Sequence, residues 1–247
     1  MSERRLEGKA ALVTGASRGI WRGIAAAFVK EGASVFLCAR REEGLERAAE
    51  ELEALAGRKK SVFYRACDVG DPEEAEGLVR SALERFDHLS ILVNNASILG
   101  KRAPLSELDV ATWDEVIRIN TSSLFYVTRP LLPHLMARGE GSIVNVSSSV
   151  GRKGKANWGA YAVSKFGLEG FTQVLAVELS PFGIRVNSVN PGATRTDMRA
   201  GAYPEEDPLT LPTPDDIAEV FVYLASPESN SVTGQAFEAR DFLKAHG

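Results

Sequence analysis

Cysteine is nearly absent: the 247 residues hold two, Cys38 and Cys67. That excludes a disulfide scaffold. Both sit in apolar, strand-like segments, where a small core side chain is the expected role. Histidine is also scarce. His88, His134 and His246 stand far apart without metal-ligand spacing, so surface or internally hydrogen-bonded histidines are expected, and no metal. No apolar run reaches the roughly 18 residues of a membrane span. Residues 1–9 are charged and lack an apolar stretch, which argues against a secretory signal. Positive charge is not in excess: 29 Lys and Arg face 33 Asp and Glu, a formal net charge of -4. Nucleic acid is therefore disfavoured as a partner, because phosphate binding needs a basic surface. Internal repeats and Ser/Gly linkers are missing too. What is there is ordinary globular composition, 44% hydrophobic, which excludes disorder as the main state. The expectation is one cytoplasmic globular domain over residues 1–247, with no membrane partner.

Short β-branched runs alternate with longer helical patterns. Strands are expected at residues 10–14, 34–39, 61–66, 91–93, 142–146, 184–189 and 232–237. Helices are expected at 20–31, 42–56, 72–86, about 111–136, about 161–179 and 215–224. Pro130 and Pro133 should bend the long fourth helix or confine its regular part to the residues before them. Strand-helix alternation means parallel strands with crossover helices. The fold class is α/β: a doubly wound parallel seven-stranded sheet with helices on both faces. Residues 193–214 contain Pro204, Pro208, Pro212 and Pro214 and read as an irregular lid or binding loop.

The first strand runs into Thr14-Gly15-Ala16-Ser17-Arg18-Gly19-Ile20 and then a helix. Free N–H groups at a helix start, its dipole and small glycines make an anion site, and the place on the first βαβ unit points to a dinucleotide. The second strand ends in Ala39-Arg40-Arg41. An acid there would suit a ribose 2′-OH, whereas Arg accommodates a 2′-phosphate. Arg40, with Arg18 in the glycine loop, favours NADP (NADPH). The other reading, Arg40 and Arg41 as a solvated helix start, stays open.

Thr14-Gly15-x3-Gly19, Asp68-Val69, Asn94-Asn95-Ala96, Asn120, Ser148, Tyr161-x3-Lys165 and Pro191-Gly192-x3-Thr196 stand in this order along nearly the whole chain. With them the sequence resembles the short-chain dehydrogenase/reductase family. The stretch 147–161 is similar to a bacterial subgroup known mainly as generic oxidoreductases. The resemblance implies a single-domain Rossmann fold, and an NADP-dependent oxidoreductase that interconverts a carbonyl and an alcohol on a small-molecule substrate.

Tyr161 and Lys165 share one helix face. A free phenol has a pKa of about 10 and is a poor base at neutral pH. A neighbouring ammonium and a positively charged nicotinamide are expected to lower it, so that Tyr161 exchanges a proton with the substrate oxygen. The Ser148 hydroxyl is expected to donate to the developing alkoxide. The resemblance further implies that Lys165 bonds the nicotinamide ribose and that Asn120 holds a proton-relaying water. It implies that Asp68 accepts from the adenine amino group, Val69 offers backbone, and Asn94 and Ala96 lie beside the cofactor. Pro191, Gly192, Thr194 and Thr196 would flank the carboxamide and pyrophosphate, with Gly15, Ser17, Arg18, Gly19 and Ile20 around the phosphates.

Departures from the family pattern matter. Trp21 stands where the family has glycine, at the helix start beside the pyrophosphate. Occlusion of the phosphate cradle and weak NADPH binding are expected from its bulk; the alternative has the indole turned away or filling a local gap. A cofactor-impaired, non-catalytic homologue is accordingly a rival reading, and a 3-oxoacyl carrier-protein reductase another. Ser97 replaces a frequent glycine and reads as harmless. The C-terminal segment reads Glu238-Ala239-Arg240-Asp241-Phe242 in place of the familiar Asp-Gly-Gly, which puts a second subunit interface in doubt. Arg152, Lys153 and Lys155 either favour an anionic substrate or form a solvated loop. Leu124, Phe125, Val127, Phe166, Leu168, Phe171, Val174 and Leu175 exceed one core-facing stripe on their helices, so a homodimer or homotetramer is expected.

Overall fold

The computed structural model describes residues 4–246; residues 1–3 and 247 and the side chain of His246 lie outside the described residues. The opening of the charged 1–9 segment and the side chain of the third histidine are therefore not placed. The apolar runs form seven strands: β1 (Ala10–Thr14), β2 (Ser34–Ala39), β3 (Val62–Ala66), β4 (Leu89–Asn94), β5 (Gly141–Val146), β6 (Ile184–Asn190) and β7 (Ala236–Glu238). All pair in parallel, in the order β3-β2-β1-β4-β5-β6-β7. The order reverses between β1 and β4, and ligands of open α/β sheets bind outside the carboxyl ends of strands at such a point. β1 and β4 are buried at every position, as a strand covered on both faces must be.

The helices are α1 (Trp21–Lys30), α2 (Leu45–Ala56), α3 (Pro72–Arg85), α4 (Val110–Ile117), α5 (Ser123–Arg138), α6 (Gly159–Leu179), α7 (Asp197–Ala202), α8 (Glu219–Ala225) and α9 (Ala239–His246). α1, α2, α8 and α9 bury their apolar residues against one face of the sheet, and α3, α5 and α6 against the other. α3 starts where the Asp-Pro pair predicts. Asp71 accepts from the N–H groups of Glu73 and Glu74 at 2.9 and 3.0 Å, and Pro72 takes the first helical position.

Four elements differ from the sequence expectation. The single helix at 111–136 is α4, one π turn (Arg118–Ser122) and α5. Pro130 and Pro133 do not stop α5, which runs on to Arg138 because Leu131 and Leu135 anchor it fully in the core. Residues 193–214 are not structureless. They hold α7, capped by Thr196 Oγ1 accepting from the Arg199 N–H at 3.2 Å. β7 is only three residues long, and the segment after it, read without a helix, forms α9 because Ala239 and Phe242 bury against α8 and β7.

Candidate active site

The turn after β1 is built around Thr14 and Gly15. Thr14 Oγ1 accepts from the N–H groups of Asn95 and Ala96, each at 3.1 Å, and Asn95 Nδ2 donates to the Thr14 carbonyl at 2.8 Å. The β1 turn and the β4 loop are thus clamped together. Gly15 sits at φ 74°, and a Cβ there would come within 2.6 Å of Ala96 Cα, so both conformation and space demand glycine. Ile20, the N-cap of α1, offers no side-chain cap. The first N–H groups of α1 are left to whatever anion approaches them.

A cavity of about 610 Å³ runs across the carboxyl ends of the strands from this turn. That volume is in the range of small-molecule and cofactor sites. Gly15, Ser17, Arg18, Gly19, Ile20, Arg40, Asp68, Val69 and Ala96 line one part; Ser148, Tyr161, Lys165, Pro191, Gly192, Thr194 and Thr196 line the other. Arg18 and Arg40 are both exposed, and Glu115 stands 3.9 Å from Arg40. Asp68 meets Arg118 at 3.0 Å with one oxygen and the Gly70 N–H at 2.9 Å with the other, which still leaves lone pairs toward the cavity. Cys38 and Cys67 are buried free thiols that line the cavity, and the neighbouring Cys67 together with burial pushes the Cys38 thiol well up.

Two candidate residues do not face the cavity. Asn94 is a strand residue, and its amide donates to Asn145 Oδ1 at 2.9 Å and Thr128 Oγ1 at 3.3 Å in a buried polar column beneath the site. Asn95, one residue on and pointing the other way, lines the cavity in its place. The alternation of side chains along β4 was the signal for it. Asn120 lies in the π turn, fully buried. Its Oδ1 accepts from the Ile98 N–H at 2.8 Å, and its Nδ2 donates to the Ile98 carbonyl at 2.8 Å and Ser164 Oγ at 3.0 Å. With both polar atoms of the amide engaged, this side chain clamps the β4 loop to α6.

At the other end, Ser148, Tyr161 and Lys165 converge. The turn after β5 passes so close to α6 that a Cβ on Gly151 would meet Lys165 Cβ and its carbonyl at 2.9 Å. Lys165 is fully buried; its Nζ donates to the Val146 carbonyl at 2.8 Å and stands 5.6 Å from the Tyr161 ring centre. Burial lowers its pKa to about 7, against an upward pull from Glu169. Burial pushes the Tyr161 phenol up to about 12, while the hydroxyls of Ser148 and Ser97 pull it down. In the chain alone desolvation outweighs the two hydroxyls, and Lys165 is not among the groups that pull the phenol down. Glu169, one turn beyond Lys165, is itself buried. It accepts from Ser147 Oγ at 2.5 Å, Ser188 Oγ at 2.7 Å and Arg152 Nε at 3.1 Å.

The sequence profile of the short chain dehydrogenases matches residues 9–207. The chain belongs to this family. Among its relatives is YciK of Escherichia coli K12, an oxidoreductase without an assigned reaction, 42% identical over 93% of this chain and 90% of its own length. The 3-oxoacyl-[acyl-carrier-protein] reductase FabG of Thermotoga maritima is 37% identical over 94% of this chain and 96% of its own. A short chain dehydrogenase of Shigella flexneri 2a, solved in complex with NADP, is 41% identical, covers 97% of this chain and all of its own, and superposes with a TM-score of 0.92.

Measured against that family, Trp21 is the main departure, and the steric expectation for it fails. The indole is 7% exposed, packed in the apolar layer that α1 shares with α8, and is not part of the cavity wall. The first turn of α1 points this position at the protein interior and leaves the phosphate end to Ser17, Arg18 and Gly19. The alternative in which the indole fills a local gap is the one realised. Gly23 complements it: a Cβ there would lie 2.3 Å from the Pro214 carbonyl, so its absence lets residues 214–215 close against α1.

Trp158 lines the cavity and packs with Tyr203 in a small cluster beside it. Trp158 and Tyr203 lie with ring centres 6.0 Å apart, and the Arg102 guanidinium stands 4.9 and 5.2 Å from the two rings. Lys155 Nζ donates to the Tyr203 hydroxyl at 2.6 Å, and Arg199 stacks 3.8 Å from that ring. Arg152 turns inward to Glu169 and also pairs with Glu238. Arg152 and Lys155 are thus engaged within the chain, while residues 152–157, Lys153 included, are exposed, as the solvated-loop reading has it. His88 contacts Asp87 and His134 contacts the Leu89 carbonyl, each at 3.0 Å. Among the described residues no cluster of three metal-ligating side chains occurs, and no helix is long and apolar enough to cross a membrane.

Proposed function

We propose that this chain is an NADP-dependent oxidoreductase that interconverts a carbonyl and an alcohol, with Tyr161 as acid and base. The observation that carries the reading is the meeting of Tyr161, Lys165 and Ser148 in the same cavity as the uncapped start of α1. Complexes of a 41% identical relative with NADP and of a 40% identical one with NADPH support the choice of cofactor. The residues present fit that group: glycine is obligatory at Gly15, α1 offers free N–H donors, and Arg18 and Arg40 stand ready for a 2′-phosphate. When bound, the nicotinamide supplies or takes the hydride.

The protein's own part is proton transfer and orientation. In reduction the Tyr161 hydroxyl gives its proton to the carbonyl oxygen, and the Ser148 hydroxyl donates a hydrogen bond to the same oxygen. A phenol with a pKa of about 12 carries its proton throughout the neutral range, which suits the reductive direction. Lys165, as ammonium, offsets the phenolate left behind. Leu99, Trp158, Met198 and Ala202 give the substrate side an apolar wall, so a carbonyl compound with an apolar substituent is the expected class. The test is NADPH oxidation followed by absorbance over a panel of ketones and aldehydes, with Tyr161→Phe alongside. Turnover should appear with some of the panel and drop at least about a hundredfold in the variant, the usual weight of a positioned acid. A Tyr161→Phe enzyme of undiminished rate would refute the assignment.

A further inference from the structure

Ser97, read from sequence as a harmless replacement for glycine, stands at a place where a hydroxyl has consequences. Its neighbours are pinned on both sides. The Ala96 N–H is held by Thr14 Oγ1 at 3.1 Å, and Ile98 is gripped through its N–H and carbonyl by Asn120, both at 2.8 Å. The backbone of residue 97 therefore has little freedom to carry its side chain elsewhere. Ser97 lines the cavity with Ser148 and Tyr161, at the carboxyl ends of the adjacent strands β4 and β5. Its Oγ is shielded from solvent and makes no hydrogen bond of ordinary length among the described residues, while standing near enough to the Tyr161 phenol to draw its pKa down. A hydroxyl held out of water without a full-strength partner is unfavourable, so one retained at such a place is a donor in reserve.

We infer that Ser97 is a positioning residue for the acid-base chemistry, a second hydroxyl, beside Ser148, that serves the Tyr161 phenol. The inference rests on the function proposed above. In reduction the phenol proton passes to the substrate oxygen as the carbon receives the hydride from NADPH. The phenolate that remains then accepts the Ser97 hydroxyl hydrogen as a hydrogen bond, with no further bond made or broken. In oxidation the same hydrogen bond holds the phenolate ready to take the alcohol proton. The glycine usual at this position has no such group. The phenol's downward pull from both serines agrees with this placement. The other charged groups near the phenol are Lys165 on its own helix with Glu169 behind it, Arg102 and Lys155 against Trp158, and Asp197 and Arg199 on α7. None of them is altered by a change at residue 97.

The experiment compares Ser97→Ala, Ser97→Gly and Ser97→Thr with the unmodified chain. One readout is independent of turnover: isotope-labelled tyrosine followed by NMR against pH, with the Tyr161 resonance assigned through Tyr161→Phe. The other is the pH profile of alcohol oxidation. Loss of the hydroxyl in the Ala and Gly variants should move the Tyr161 titration to higher pH. Oxidation on the acidic side of the profile should fall about three- to tenfold, the effect of half to one pH unit. Ser97→Thr, which keeps the hydroxyl, should restore both. A Tyr161 titration unmoved in Ser97→Ala overturns the inference. If no substrate is ever turned over, the titration still decides about Ser97, while the function proposed above fails by itself.

Discussion

An indole buried at the first position of α1 fixes what its removal would do. Trp21→Gly takes a large side chain from a packed layer and puts glycine into a helix. Stability should fall by about 3–5 kcal/mol for the cavity, with roughly 1 kcal/mol more for the glycine. NADPH affinity should stay within about threefold, since the side chain is no part of the cavity wall. Denaturant midpoints and a cofactor titration read the two separately; a tenfold gain in affinity without loss of stability would put the indole on the phosphates after all. Lys165 gives a second residue-scale test. Burial depresses its folded pKa from 10.5 to about 7, so between these values the unfolded chain binds more protons. The stability linked to this residue is complete above pH 10.5 and is lost as pH falls toward 7. Relative to Lys165→Met, the unmodified chain should gain stability from neutral pH to about pH 10. Tyr161 acts in the opposite sense only in the next window, between 10 and about 12, where its raised pKa makes stability fall with rising pH. Urea midpoints for both proteins at three pH values test the sign; parallel curves would mean that Lys165 is not desolvated.

The elements show what a sequence reveals and what it hides. Strand-helix alternation was legible throughout because buried strands carry continuous apolar runs and crossover helices carry a 3.6-residue period. The glycine turn and the Tyr-Lys pair were legible because their chemistry depends on local spacing. The π turn at Arg118–Ser122 was not, since one extra residue in a helical turn leaves the apolar pattern almost intact. Asn94 and Asn95 were exchanged because a motif names both and only the strand's alternation says which one turns toward the cavity. Trp21 was misjudged because its direction depends on the pitch at which α1 leaves the turn, a tertiary property. The end of β2 carries its own prediction. Arg40, half exposed and only loosely opposed by Glu115, is free to meet a 2′-phosphate. NADPH should bind more than tenfold tighter than NADH, about 1.4 kcal/mol, and Arg40→Asp should narrow or reverse the ratio. Equal affinities in the unmodified chain would remove the argument.

At the scale of the whole molecule, α6 is apolar on two sides. Tyr161, Lys165, Leu168, Thr172, Leu175 and Leu179 are buried toward the sheet and the site. Val163, Phe166, Val174 and Val177 lie on a different stripe and are 46–77% exposed, as is Phe125 of α5 at 51%. Leu124, Val127, Leu168 and Leu175, named from sequence as surplus, are core residues instead, so the surplus is a narrower stripe than sequence alone suggests. A monomer rarely leaves apolar side chains of this size in one row along a long helix, and such a row marks an association surface. Packing two such helices against each other across a twofold axis would bury both rows at once, since an isologous contact pairs each patch with itself. Light scattering at micromolar concentration should give a dimer or tetramer. Phe166→Glu with Val174→Glu should shift the mass toward monomer, because charges placed in a twofold contact face their own kind. The double variant should keep its far-ultraviolet circular dichroism, since both positions face outward. Because α6 also carries Tyr161 and Lys165, turnover per chain should fall on dissociation if the contact steadies the helix. An unmodified chain that runs as a monomer would show that this stripe is left to solvent.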